Sequence, residues 1–139
     1  ADGEKHRPIM LHRVVFGSIE RFIGILLEHY AGKFPAWIAP VQVKVLPVSV
    51  KYNDYAKKVE EALEEYDIRV ELDARSEKLG YKIREARMDK VPYMIIVGEN
   101  EKNHMSVSVR QRDAEPDQQD MGEMSLEQAV NLIRRGEIE

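Results

Sequence analysis

Residues 41–72 read VQVKVLPVSVKYNDYAKKVEEALEEYDIRVEL, and the periods within them decide the fold. Val41 to Leu46 alternates apolar and polar side chains, the period of a strand. Asp54 stands where it can cap a helix. Tyr55, Val59, Ala62, Leu63 and Tyr66 then fall at i, i+4, i+7, i+8 and i+11, an amphipathic helical stripe. Ile68 to Leu72 alternates again. Strand, helix and strand in so short a span form a βαβ unit, whose two strands lie parallel.

Downstream, Leu79 to Met88 reads as a helix with Leu79, Ile83 and Ala86 inward and its basic groups outward. Tyr93 to Val97 is continuously apolar, as a strand buried on both faces is. A turn is expected around Glu99 to Asn103, followed by an alternating strand from Met105 to Val109. Asp113 to Glu123 is polar and acidic and reads as a mobile loop. Ser125, with Gln128 three residues on, has the spacing of a capping box opening a last helix. The order after Pro40 is therefore β-α-β-α-β-β-α, which predicts an α/β domain with a mixed sheet flanked by helices.

Upstream, Lys33 to Pro40 (KFPAWIAP) has two prolines in eight residues and no period, and reads as an ordered connector. It divides the chain into residues 1–39 and 40–139. Before it, Pro8 to Phe16 contains a β-type run ending at Gly17-Ser18. Ser18 can cap a helix from Ile19 to Ala31, with Gly32 as its stop. That helix is apolar on more than one side, the pattern of a helix packed between two bodies.

Composition narrows the chemistry. The 139 residues hold no cysteine, which removes disulfides and cysteine-bound metals. The four histidines, His6, His12, His29 and His104, show no metal-binding spacing, so a self-contained zinc site is not expected. The longest apolar run, Ile23 to Leu27, is too short for a bilayer, and residues 1–8 carry no apolar signal core. A cytoplasmic chain without a membrane partner is expected.

The net charge is −4, but its distribution is uneven. Arg75, Lys78, Lys82, Arg84, Arg87 and Lys90 are six basic residues against three acidic ones between positions 75 and 90. No hydrolytic triad, Walker motif or dinucleotide fingerprint occurs. Asp67, Asp73 and the glutamates of Glu60 to Glu65 read as a solvated helix face.

In open α/β sheets ligands gather beyond the carboxyl ends of strands, which directs attention to the loops after Leu46, Leu72 and Gly98. There the basic segment, with Arg110 and Arg112 after the fourth strand, offers forked donors for phosphates and bases, and Tyr81 offers a stacking face. A single-stranded RNA loop suits such a surface. The plain alternative is that these are surface arginines paired with Glu77, Glu85 and Glu101.

His12-Arg13-Val14-Val15-Phe16-Gly17-Ser18-Ile19-Glu20-Arg21-Phe22 resembles the third signature motif of class II aminoacyl-tRNA synthetases in its threonyl form. Residues 33–43 (KFPAWIAPVQV) are similar to the connector that follows it. Residues 75–85 (RSEKLGYKIRE) and 91–94 (VPYM) resemble the anticodon-binding domain. The resemblance covers nearly the whole chain, with the strings in the right order.

The resemblance implies residues 1–39 as the end of a catalytic domain and 40–139 as an anticodon-binding domain, within an enzyme that ligates threonine to its tRNA using ATP. It implies that His12 is one of three protein ligands of a catalytic zinc. Gly17 and Ser18 would line the ATP site with its magnesium, and Arg21 would lie against ATP as the catalytic arginine. Ser76, Lys78, Arg84, Glu101 and Arg110 would face the anticodon stem-loop of tRNA(Thr). Ser76 stands where the family often has asparagine, and residues 113–123 are more acidic than the family's usual turn.

Zinc and ATP are expected only in the intact, homodimeric enzyme. The isolated chain is expected to be a monomer, free of cofactor, that binds tRNA without aminoacylating it. Two alternatives use the same residues: a stand-alone RNA-binding or regulatory module derived from the synthetase, and a purely structural α/β interaction domain.

Overall fold

The computed structural model of the chain describes residues 3, 7–114 and 118–135. Its elements are α1 (Ile19–Tyr30), β1 (Val43–Pro47), α2 (Asn53–Glu64), β2 (Val70–Leu72), α3 (Leu79–Met88), β3 (Tyr93–Val97), α4 (Glu99–His104), β4 (Ser106–Gln111), β5 (Asp120–Ser125) and α5 (Leu126–Arg135). The strands form one sheet in the order β2-β1-β3-β4-β5. β1 pairs parallel with β2 and β3, while β3–β4 and β4–β5 are antiparallel. The mixed α/β architecture is the expected one.

The period-2 strands sort the core onto two faces. Val43, Val45, Tyr93, Ile95, Val97, Val107 and Val109 point to one face, where α2 (Tyr55, Ala56, Val59, Leu63) and α5 (Ala129, Val130, Ile133) cover them. Burying an aliphatic side chain of this size contributes roughly 1.5–3 kcal/mol, so this layer dominates stability. On the opposite face Leu46 and Met94 meet Leu79, Ile83 and Ala86 of α3. Among the described residues, no helical core side chain packs on β4 and β5 there beyond the edge held by Glu101 of α4, and this half-open face is the candidate site.

Several local expectations are corrected. Asp54 does not cap α2: the N-cap is Tyr52, at the end of a 3-10 turn from Val50 to Tyr52, and Asp54 lies in the first turn. Tyr66 falls beyond the helix end, where the Arg134 guanidinium lies 5.6 Å from its ring centre. The turn at Glu99 to Asn103 is the short helix α4, closed by Met105 in the left-handed region at φ 54°. The polar segment 113–123 is not all loop, because Asp120–Ser125 is an edge strand; residues 115–117 lie outside the described residues. An edge strand with one side in solvent does not need the apolar alternation that marks a buried one.

The largest correction is at the N-terminal side. Pro8 to Phe16 forms no strand, and Ile9 and Leu11 stand 90% and 89% exposed. β-type residues become a strand only against a ladder partner, and the described residues offer this segment none. Helix α1 does form, with Ser18 Oγ accepting the Arg21 N–H at 3.4 Å and Ala31 closing it in the left-handed region at φ 49°, yet it has no buried residue.

The connector is ordered by cations on carbonyls. Arg69 donates to the carbonyls of Ala36 (3.1 Å), Trp37 (2.9 Å) and Ala39 (2.9 Å), and Arg112 donates to that of Phe34 (3.0 Å). Ala36 and Ala39 are buried.

Candidate nucleic-acid interface

The parallel strands β2, β1 and β3 all end on one side of the sheet, and the three expected loops gather there. Ser76 and Lys78 line a pocket of about 260 Å³ with Val48, Ser49, Val50 and Arg75. Val48 in turn presses on Gly98, where an added Cβ would sit 3.2 Å from Val48 Cγ2 and 3.1 Å from Glu101 Oε2. A larger residue there would push Val48 and Glu101 aside by a few tenths of an ångström. The pocket, Val48, Gly98 and Glu101 thus form one continuous rim.

From that rim the open face descends along β4. Ser108 lies opposite Ile96 and Arg110 opposite Met94, so both share the face that α3 covers only over its other half. Arg84 lies on α3. One turn further along the helix, Arg87 reaches Gln119 Oε1 at 3.1 Å beside β5, so this flank of α3 looks across the open strands. Ser76, Lys78 and Glu101 thus lie at the rim and Arg110 on the open face, with Arg84 exposed on the neighbouring helix α3.

Their electrostatic states differ. Lys78 and Arg84 are exposed, and their side chains make no hydrogen bond or ion pair with the described residues. Arg110 donates to Asp120 Oδ2 at 2.7 Å, while its buried Nε has no partner among the described residues. The Arg110 hydrogen bond holds the Asp120 carboxyl below its usual range. Arg112 pairs with Asp113 and donates to the carbonyls of Lys90 and Phe34. Acids of the 113–123 segment thus occupy both arginines of β4 and its edge.

Two other cations of the basic segment, Arg75 and Lys82, are tied up within the protein. Arg75 is clamped between Asp73 (2.6 Å) and Glu85, and its hydrogen bonds hold both carboxyls below the ordinary range. This bears out, for Glu85, the plain pairing alternative. Tyr81 is about half exposed, which suits stacking, and its hydroxyl is held in its neutral form by Glu85.

Lys82 reverses the expectation that all basic groups of α3 point outward. It is 1% exposed and donates to the carbonyls of Pro47 (3.2 Å) and Asp73 (2.9 Å). Burial lowers its pKa, and its ammonium ties the ends of β1 and β2 together beneath the Ser76 loop.

Sequence reasoning also missed Ser108. Its hydroxyl donates to Glu101 Oε1 at 2.7 Å, and the Gly98 N–H donates to Glu101 Oε2 at 2.9 Å. A serine inside an alternating strand carries no signal of its own. Only the pairing register places it beside Glu101.

The N-terminal candidates stand apart from this groove. His12 Nε2 lies 2.9 Å from Met10 Sδ in an exposed segment. No group of three or more His, Cys, Asp or Glu able to hold a metal occurs among the described residues. A zinc ion needs three or four protein ligands. His12 is one, so the residues present do not fit zinc by themselves. Gly17, Ser18 and Arg21 are exposed at the start of α1, where Ser18 also donates to Glu20 at 2.7 Å. No helix of the described residues is long and apolar enough to cross a membrane.

A mixed sheet with a half-open face, bordered by exposed cations, a pinned carboxylate and a paired arginine, defines an α/β domain with a surface chemically able to meet a nucleic acid. The chain belongs to the anticodon binding domain family, which matches residues 42–136. It is 61% identical over 132 residues to a threonine-tRNA ligase of Caldanaerobacter subterraneus, covering 95% of this chain and 20% of that protein. It is 59% identical over 134 residues to the threonine-tRNA ligase of Clostridioides difficile, covering 96% and 20%. The chain thus spans about a fifth of the length of these relatives. Among solved structures, the RNA binding domain of threonyl-tRNA synthetase from Cryptosporidium parvum matches with a TM-score of 0.79 and 34% identity, over 86% of this chain and 29% of that one.

Proposed function

We propose that this chain is the anticodon-reading part of a threonine-tRNA ligase, and that the groove between α3 and β4 receives the anticodon loop of tRNA(Thr). The observation that carries this is the rim and open face at the strand ends, where the Lys78 side chain is unpaired beside Ser76, Glu101 is pinned by Ser108, Arg110 shares the face of Ser108, and Arg84 is exposed and unpaired on the neighbouring helix. Lys78 supplies a point charge for the backbone. Arg84 can fork onto a base edge or a phosphate, and Glu101 accepts from base N–H groups. A surface of both signs discriminates bases rather than gathering any polyanion, which accounts for the acidic net charge. Ser76, shorter than asparagine, reaches its base through a water.

In the intact, cytoplasmic and dimeric enzyme, His12 would be one ligand of the zinc, and Gly17, Ser18 and Arg21 would border ATP with its magnesium. Catalysis belongs to that larger body. The exposed apolar residues of 9–27 and a helix with no buried residue support packing against the rest of the synthetase, with residues 1–39 as its end and 40–139 as the anticodon-binding domain.

The test is binding of synthetic tRNA(Thr) stem-loops whose anticodon bases are changed one at a time. The chain should prefer the threonine anticodon, and Arg84→Ala should lower that preference by about 1–3 kcal/mol, the worth of a good bidentate contact. Affinity indifferent to the anticodon sequence would sink the reading.

A further inference from the structure

We propose that Ser108 is a positioning residue for base discrimination, acting through Glu101; this rests on the anticodon reading above. Both oxygens of the Glu101 carboxylate are held from the protein side, Oε2 by the Gly98 N–H at 2.9 Å and Oε1 by the Ser108 hydroxyl at 2.7 Å. The first bond caps the start of α4 and depends on the tight Gly98 corner. It fixes one oxygen but leaves the carboxylate plane free to turn about it. The second bond stops that rotation.

The consequence is chemical as well as geometric. A carboxylate has about four lone-pair sites, and the two donors leave the others without a protein donor. The single hydroxyl hydrogen of Ser108 is spent on Glu101, so its oxygen presents only lone pairs. Glu101 and Ser108 together form a fixed array of acceptors, two residues along β4 from the donors of Arg110. Such an array accepts a base edge rich in N–H groups and repels one rich in lone pairs, and rejection of the wrong edge requires that the carboxylate cannot swing aside. Glu101 is in no ion pair among the described residues, so no cation performs this function in place of Ser108.

The experiment measures, for this chain and for Ser108→Ala, Ser108→Thr and Glu101→Gln, the ratio of Kd values between stem-loops with one anticodon base changed and the parent loop. Ser108→Ala should lower the ratio roughly 10-fold, as loss of a hydrogen bond to a charged group does. The loss should fall at the same loop position that Glu101→Gln affects, with affinity for mismatched loops held or raised and the melting temperature little changed. Ser108→Thr restores the hydroxyl and should restore the ratio.

A full ratio in Ser108→Ala at the position where Glu101→Gln loses it overturns the proposal and leaves the anticodon reading standing. So does a loss that threonine does not rescue, since packing and not the hydroxyl would then be at work. A full ratio in Glu101→Gln removes the acceptor array altogether. A wild-type chain without any preference among loops removes the anticodon reading and this proposal together.

Discussion

The two faces of the sheet are built for opposite purposes. One is roofed along its length by α2 and α5 and contains almost nothing but aliphatic and aromatic side chains. The other is roofed by α3 over β1 and β3 only, and beyond Met94 it changes to serine, arginine and carboxylates. The contrast teaches that the same strands can carry a stabilising face and, on the proposed reading, a recognising one. β4 shows it within one element, with Val107 and Val109 in the core and Ser108 and Arg110 in the groove.

That separation can be broken or sharpened by substitution. The largest effect is expected on the roofed face, where Leu63→Ala should cost about 2–5 kcal/mol in chemical denaturation while leaving anticodon preference intact. A loss of preference in the folded variant would show that the faces are coupled.

Next in size is an acid-linked effect at the rim. Arg75 holds Asp73 below its ordinary pKa of 3.8, so the ion pair contributes stability above that value and loses it as pH falls through the lower folded value. In denaturation series carried into acid, Asp73→Asn should be the less stable protein at neutral pH, and the gap should close below about pH 3.8. A gap that persists undiminished would assign the effect to hydrogen-bond geometry instead of charge.

The smallest effect is expected at Arg110. Asp120→Asn releases its guanidinium, and RNA affinity should rise several-fold in low salt with a steeper salt dependence, while stability moves by less than about 0.5 kcal/mol. Unchanged affinity would mean that Arg110 does not meet the nucleic acid.

Much of this was legible in the sequence because local signals and tertiary packing agree. α3 spans Leu79–Met88 as its period indicates, β3 is the buried run it reads as, and the Ser125–Gln128 capping box forms with bonds of 3.0 and 3.2 Å. Where packing overrides pattern, reading fails. Residues 9–16 have strand composition without a strand to pair with, and Asp120–Ser125 has loop composition but pairs as an edge.

The site was partly legible for a similar reason. The loops after β1, β2 and β3 follow from topology and could be placed in advance, whereas Ser76, Lys78 and Glu101 within or near them came from the family resemblance. Partners could not. That Arg75 is spent on Asp73, that Arg110 is shared with Asp120, and that Lys82 turns inward depend on side-chain distances no spacing rule encodes.

The carbonyl clamp on the connector has a mechanical meaning. Arg69 and Arg112 grip the main chain of residues 34–39 and ignore what those residues carry. Amino-acid identity along most of this segment can therefore drift without loosening the joint. The joint thus fixes where the chain enters the sheet, as a rivet does, whatever α1 itself packs against.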